Sequence, residues 1–182
     1  MGTTSLDLGC GSKPQNPYAA DEVRGVDIRE DLDNGIHKAD LIKDGIPFAD
    51  ESFDFVTAFD FIEHVPRIIY APDQQYPFVN IMNEIWRVLK PGGTFLSHTP
   101  AYPKAEAFQD PTHVNIITKD TFRLYFDHQR ILARMYGFRG AFIVERQHWA
   151  GAHLISELKK TESPELCVVR SRYWFQRMWR GY

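Results

Sequence analysis

Near the start of the chain, Leu6-Asp7-Leu8 runs straight into Gly9-Cys10-Gly11-Ser12. An apolar run that stops on Gly-x-Gly reads as a strand ending in a tight turn, and the missing side chains let a ligand approach the backbone. Taken alone, that pattern also describes a plain structural turn. Asp27 shifts the balance, because it stands 18 residues after Gly9 at the end of the next strand-like run. There a carboxylate can accept hydrogen bonds from both hydroxyls of a ribose.

The remaining pattern alternates short apolar runs with amphipathic ones. Strands are expected at Thr3–Leu8, Val23–Ile28, His37–Leu41, Phe53–Phe59 and Thr94–Thr99. Between the last two, Phe78–Leu89 has the apolar spacing of a helix, and Lys90-Pro91-Gly92-Gly93 reads as its stop. Pro100–Asp110 reads as a loop, and Thr118 as the N-cap of a helix that breaks near Asp127, resumes to Tyr136 and ends at Gly137. Ala141–Trp149 and Leu154–Lys160, with only four residues between them, should pair as an antiparallel hairpin. The expected fold is therefore α/β: a Rossmann-like, doubly wound, mostly parallel sheet of seven strands with that hairpin at its end. Ligands of such sheets bind beyond the carboxyl ends of the strands, where the strand order reverses.

With 182 residues, the chain is read as a single domain, with a core over 3–160 and a tail over 161–182. No apolar run is long enough to span a bilayer, and the start shows no basic-then-apolar leader, so a cytoplasmic protein is expected. Cys10 and Cys167 form neither a disulfide framework nor a CxxC pattern, which agrees with a reducing compartment. A net charge of −3 gives no electrostatic reason to expect a nucleic-acid partner. The charge is uneven, however: residues 1–120 carry −9 and residues 121–182 carry +6. A basic final third favours an anionic substrate, unless its arginines form a dispersed solvated face.

A nicotinamide dinucleotide enzyme would share the first two strands, but the details disagree. That fingerprint needs a third glycine and a helix N-terminus for the pyrophosphate, whereas here Ser12-Lys13-Pro14-Gln15-Asn16-Pro17 opens no helix. Asp7 also sets a carboxylate at the loop, unfavourable beside a pyrophosphate but suited to a ligand carrying an ammonium and a sulfonium.

LDLGCGS, GVDI, ADL, FDFVTAFDFIEHVP and WRVLKPGGTF, in that order, resemble the class I S-adenosylmethionine-dependent methyltransferases over residues 3 to about 160. Within them, the chain most resembles a small subgroup found in surface-sugar and natural-product pathways. The resemblance implies S-adenosyl-L-methionine as cofactor. It gives Asp7, Gly9, Cys10 and Gly11 to the methionine end, Asp27 to the ribose and Ile28 to the adenine. It further gives Asp40 to the adenine amino group, Leu41 to the ring, and Phe59, Asp60 and His64 to the methionyl side. The chain departs from the family in starting almost at the first strand and in having no room for a helix between Ser12 and Asp21. That thins the cover over the cofactor and one sheet face, leaving it to a partner or to the C-terminal tail.

Methyl transfer needs alignment and water exclusion more than side-chain chemistry, but a hydroxyl acceptor needs a base. Candidates follow the fifth strand: His98, Tyr102 and the run Gln109-Asp110-Pro111-Thr112-His113-Val114, which also resembles a segment of the same subgroup. His113 as base with Asp110 as its orienting partner is the catalytic reading; a loop anchor is the plain one. Glu106, Asp110 and His113 match no recognised ligand spacing, so no metal is expected. The tail Arg170–Tyr182 alternates cations with aromatics. It reads first as a helix packed on its own sheet, and otherwise as a homodimer contact, a membrane-surface segment or a base-stacking one. The sequence thus points to methyl transfer to a small-molecule acceptor, a sugar or natural-product hydroxyl. A non-catalytic, cofactor-binding partner subunit stays open.

Overall fold

The computed structural model describes residues 2–161. The tail Arg170–Tyr182 and Cys167 lie outside the described residues. The element order is β1 (Thr4–Leu8), β2 (Glu22–Asp27), β3 (Ile36–Lys38), β4 (Phe53–Phe59), α1 (Pro77–Val88), β5 (Leu89–Pro100), α2 (Glu106–Gln109), α3 (Lys119–Tyr125), β6 (Phe142–Ala150) and β7 (His153–Lys160). Among the described residues, three short 3-10 turns join these elements, at Leu32–Asn34, Ile62–His64 and Leu132–Tyr136.

Among the described residues, seven strands form one sheet in the order β3-β2-β1-β4-β5-β7-β6. The first five pair in parallel, and β7 runs antiparallel between β5 and β6, as the sequence predicts. The order reverses between β1 and β4, so their carboxyl ends face the natural ligand crevice.

Alternation within the strands separates two faces. Leu6, Leu8, Val56, Ala58, Phe95, Leu154 and Leu158 are buried toward α1 and α3. There α1 presents Phe78, Ile81, Met82 and Ile85, and α3 presents Phe122, which meets Phe78, Phe95 and Phe126 edge-on or tilted. Burying each such ring contributes about 1.5–3 kcal/mol. The opposite face carries Ser5, Asp7, Phe55, Thr57 and, further along the sheet, His98 in register with Phe59. Its cover over β1 and β4 is loop rather than helix, with the Tyr18 ring stacked 4.3 Å from Phe55.

Three local expectations need correction. Lys90–Gly93 is not a helix-ending turn, because α1 passes directly into β5 and Phe53 already pairs with Leu89. The next pair is Phe55 with Thr94, so Lys90–Gly93 bulges out of the ladder. Gly92 supplies a φ of +74°, and a Cβ on Gly93 would lie 2.9 Å from the Asp54 carbonyl. Second, β3 ends at Lys38, before Asp40, whose carboxylate accepts the Ile42 N–H and turns the chain away. Third, one helical turn, α2, interrupts the Pro100–Asp110 loop. The Thr118 N-cap stands, with Thr121 completing a reciprocal capping box.

Gly25, in the middle of β2, leaves room for the loop after β1: a Cβ there would meet Cys10 Sγ at 2.4 Å and Pro14 Cγ at 2.7 Å. Gly25→Ala is expected to lower stability by about 1–3 kcal/mol, as overpacking does, in urea unfolding.

Candidate functional site

Two carboxylates fix the glycine loop. Asp7, almost wholly buried, accepts from Thr57 Oγ1 at 2.7 Å and from the Gln15 N–H at 2.8 Å. Both of its oxygens are thereby engaged within the protein. Burial pushes its carboxyl up to about 6 despite those two donors. Asp27, at the end of β2, accepts the Gly11 N–H at 3.0 Å and the Arg29 N–H at 3.3 Å. Gly9 and Gly11 take φ values of +65° and +62°, which side-chain-bearing residues rarely adopt. A Cβ on Gly9 would strike the Phe61 ring at 2.5 Å, whereas one on Gly11 would meet nothing within 4 Å. Gly11 therefore opens onto free space. Ile28, next to Asp27, leaves 69% of its surface exposed.

The other expected residues divide. Cys10 points back against β2, where burial pushes its thiol up to about 11. Asp40 pairs with Lys43 at 2.8 Å, and the Lys43 hydrogen bond holds its carboxyl below the usual range. Leu41 packs into the core cluster. Gly9, Gly11, Asp27 and Ile28 are thus brought together beyond the carboxyl ends of β1 and β2, while Asp40 lies beyond β3.

A second group gathers past β4 and β5. Asp60, at φ +48°, receives His153 Nε2 at 2.9 Å and lies 3.6 Å from His98 Nδ1. The His98 and His153 rings stack at 4.2 Å, and burial followed by the neighbouring His153 pulls the His98 pKa down. The Phe59 ring sits 5.3 Å from that of His98. A third group joins the 3-10 turn after β4 to the loop after α2. His64 and His113 meet edge-on at 4.9 Å, and His64 Nδ1 lies 3.0 Å from Thr112 Oγ1. Thr112 in turn donates to Asp110 at 2.6 Å, which holds that carboxyl below its usual range. Asp110 therefore reaches an imidazole through Thr112, and that imidazole is His64; the main chain of His113 donates to the Asp110 carbonyl.

Sequence reasoning passed over Glu63 and His153. Glu63 is 1% exposed; its Oε2 accepts from Thr99 Oγ1 at 2.6 Å, and its Oε1 has no partner. Burial raises its pKa. The Glu-His pair directly after a strand was the available signal for Glu63. On the α1 side, a cavity of about 560 Å³ is lined by Arg67, Tyr76, Phe78, Tyr102, Tyr125 and Tyr136 among others. Of the catalytic candidates that follow β5, Tyr102 alone lines it.

A family model described as a methyltransferase domain matches residues 6–97, half of the chain. The chain belongs to that methyltransferase family. Membership of that family implies S-adenosylmethionine as its cofactor. The residues suit that molecule: Gly11 faces open space, Asp27 keeps lone pairs beyond its two backbone donors, and exposed Ile28 offers an apolar surface.

A demethylmenaquinone methyltransferase from Listeria welshimeri is 30% identical over 110 residues, covering 50% of this chain and 42% of the relative. The chain spans about half the length of the curated relatives it matches. Among solved structures, a methyltransferase from Haloferax volcanii in complex with the Trm112 activator aligns with a TM-score of 0.58 at 18% identity, over 88% of this chain and 83% of that one. A SAM-dependent methyltransferase from Archaeoglobus fulgidus aligns at 0.54 with 15% identity, over 87% and 86%. These likenesses show the shared fold. No helix among the described residues is long and apolar enough to cross a membrane.

The raised Asp7 pKa has a defined consequence for stability. A carboxyl that binds its proton more tightly when folded stabilises fully below the unfolded value of 3.8, and that contribution is lost as pH rises through about 6. Asp7→Asn keeps an acceptor for Gln15 N–H and presents a donor to Thr57. Against wild type, it is expected to flatten the loss of stability between pH 4 and 7, by at most about 3 kcal/mol, in denaturant midpoints taken across that range.

Proposed function

We propose that the chain transfers the methyl group of S-adenosylmethionine to a hydroxyl oxygen of a small acceptor, a sugar or natural product. The observation that carries this reading is the pair of imidazoles, His64 and His113, on the loops that follow β4 and β5. When bound, the cofactor supplies an electrophilic methyl. This chain's own part is to hold the reactants in line, exclude water and take the acceptor's proton.

Asp27 and Ile28 hold the nucleoside in this reading, and the Gly9–Gly11 loop, Phe59 and Asp60 flank the methionyl end. Asp7 keeps the loop in place from beneath. The imidazole pair receives the acceptor's proton, with Asp110 and Thr112 setting the orientation of His64. The apolar body of the acceptor suits the cavity that Tyr102 lines. The chain acts as one domain over 1–182, in the cytoplasm, with its tail available for a homodimer contact.

Competing acceptors belong in the same assay. Formation of S-adenosylhomocysteine should be followed with hydroxylated sugars and glycosides, and with demethylmenaquinone, which the relatives' names give for those proteins. Turnover with the hydroxyl acceptors supports the proposal, and turnover only with the quinone overturns it. A cofactor-binding partner subunit is the second reading, favoured by the loop-only cover over β1 and β4. It predicts cofactor binding without turnover on any acceptor.

Within the first reading, His113→Ala is expected to lower kcat by about 10²–10⁴-fold while leaving S-adenosylhomocysteine affinity unchanged. Equal turnover in wild type, His113→Ala and His113→Asn would remove His113 from the reaction.

A further inference from the structure

Glu63 presents a problem that the methyl-transfer reading leaves unsolved. Its carboxylate is buried, and Oε1 has no hydrogen-bond partner. An orphaned buried acceptor is unfavourable, more so when charged. The same neighbourhood holds a second orphan, since His113 Nδ1 is also buried without a partner. The two are tied together by the main chain: the Glu63 carbonyl accepts the N–H groups of Val114 at 3.0 Å and Asn115 at 2.9 Å. Glu63, His64 and His113 each offer one ligand atom, and these atoms all lie within 4.8 Å of one another.

We propose that Glu63, His64 and His113 bind one divalent transition-metal ion. Two imidazoles and a carboxylate suit Zn²⁺, Fe²⁺ or a similar first-row ion and leave positions free for an outside ligand, whereas Mg²⁺ prefers oxygen donors throughout. Bonds of about 2.1 Å to a tetrahedral ion bring ligand atoms to about 3.4 Å from each other, so side-chain rotation must draw the cluster together. The tautomer is already set for it. Thr112 gives its proton to Asp110, so its oxygen accepts from His64 Nδ1–H and the lone pair falls on Nε2. That chain of Asp110, Thr112 and His64 is the outer-shell support that metal-bound histidines commonly have.

Asp60, His98 and His153 form the other compact group of this type among the described residues. Ring geometry tells against it. An ion lies in the plane of each imidazole that binds it. The His98 and His153 planes are stacked at 19°, so they do not meet nearby, whereas those of His64 and His113 cross at 74°. His153 Nε2 is moreover already committed to Asp60.

Binding of the ion stands on these residues alone. Its use rests on the methyl-transfer reading: with the ion bound, the imidazole pair would act as ligands rather than as the base, and the ion would lower the pKa of the acceptor hydroxyl so that its proton passes to solvent water as the oxygen takes the methyl group.

The test is a titration of the full chain with Co²⁺, followed by visible absorption, and with Zn²⁺ by calorimetry. One ion per chain is expected. Binding should be lost in Glu63→Gln and His113→Ala, kept in His153→Ala, and weakened by about 10–100-fold in Thr112→Val, with circular dichroism confirming the fold of each. No binding by folded wild type overturns the proposal. So does unchanged affinity in both Glu63→Gln and His113→Ala, or loss in His153→Ala alone. Methyl transfer that survives chelation overturns the ion's catalytic use but not the site; bound metal with no methylation of any acceptor overturns the methyl-transfer reading instead.

Discussion

The loop after β1 can lie where it does only because two carboxylates hold it and one glycine makes way for it. Asp7 anchors it from the sheet through Gln15, and Asp27 draws in the Gly11 N–H from the next strand. Gly25 leaves the space that Cys10 and Pro14 fill. The consequence is a short, helix-free connection that folds back over β1 and β2 and still leaves Gly11 open. Burying a carboxylate to anchor a loop carries an electrostatic cost, visible in the raised pKa of Asp7. The ordered loop offsets that cost by exposing the backbone where a nucleoside can reach it.

The glycine loop and both histidine–carboxylate groups lie at or beyond the carboxyl ends of the parallel strands. The strand order reverses between β1 and β4, and the glycine loop sits on one side of that reversal. Asp60 with His98 and His153, and Glu63 with His64 and His113, lie on the other. Asp60 takes a left-handed φ at that position, a local strain that the bond from its N–H to the His98 carbonyl helps to hold. The neighbouring cavity, ringed by tyrosines, adds apolar volume on the far side of the same loops.

Much of this was legible from residues. The strand alternation of Phe53–Phe59, the apolar spacing of α1 and the closeness of β6 and β7 in sequence fixed their elements nearly to the residue. Gly9, Gly11 and Asp27 could be placed together because consecutive parallel strands bring their ends side by side. The glycines at 92 and 93 misled, since a bulge and a helix cap ask for the same backbone freedom. The meeting of His153 with Asp60 could not be read, because it depends on the hairpin laying β7 against β5, far away in sequence. Nor could the pairing of His64 with His113, which requires the loop after α2 to fold back onto the turn after β4. Asp110 and His113 looked like natural partners three residues apart; Thr112 intervenes and turns the carboxylate toward His64.

Asp27 and the Gly9–Gly11 loop are proposed to bind S-adenosylmethionine. Calorimetric titration with S-adenosylmethionine and S-adenosylhomocysteine, with NAD⁺ as control and Asp27→Ala as the paired variant, tests it most directly. Both sulfur ligands are expected to bind and NAD⁺ is not, and folded Asp27→Ala is expected to lose about tenfold or more in affinity for each charge-assisted hydrogen bond removed. Folded chain that binds neither sulfur ligand, or that binds NAD⁺ in their place, would contradict it.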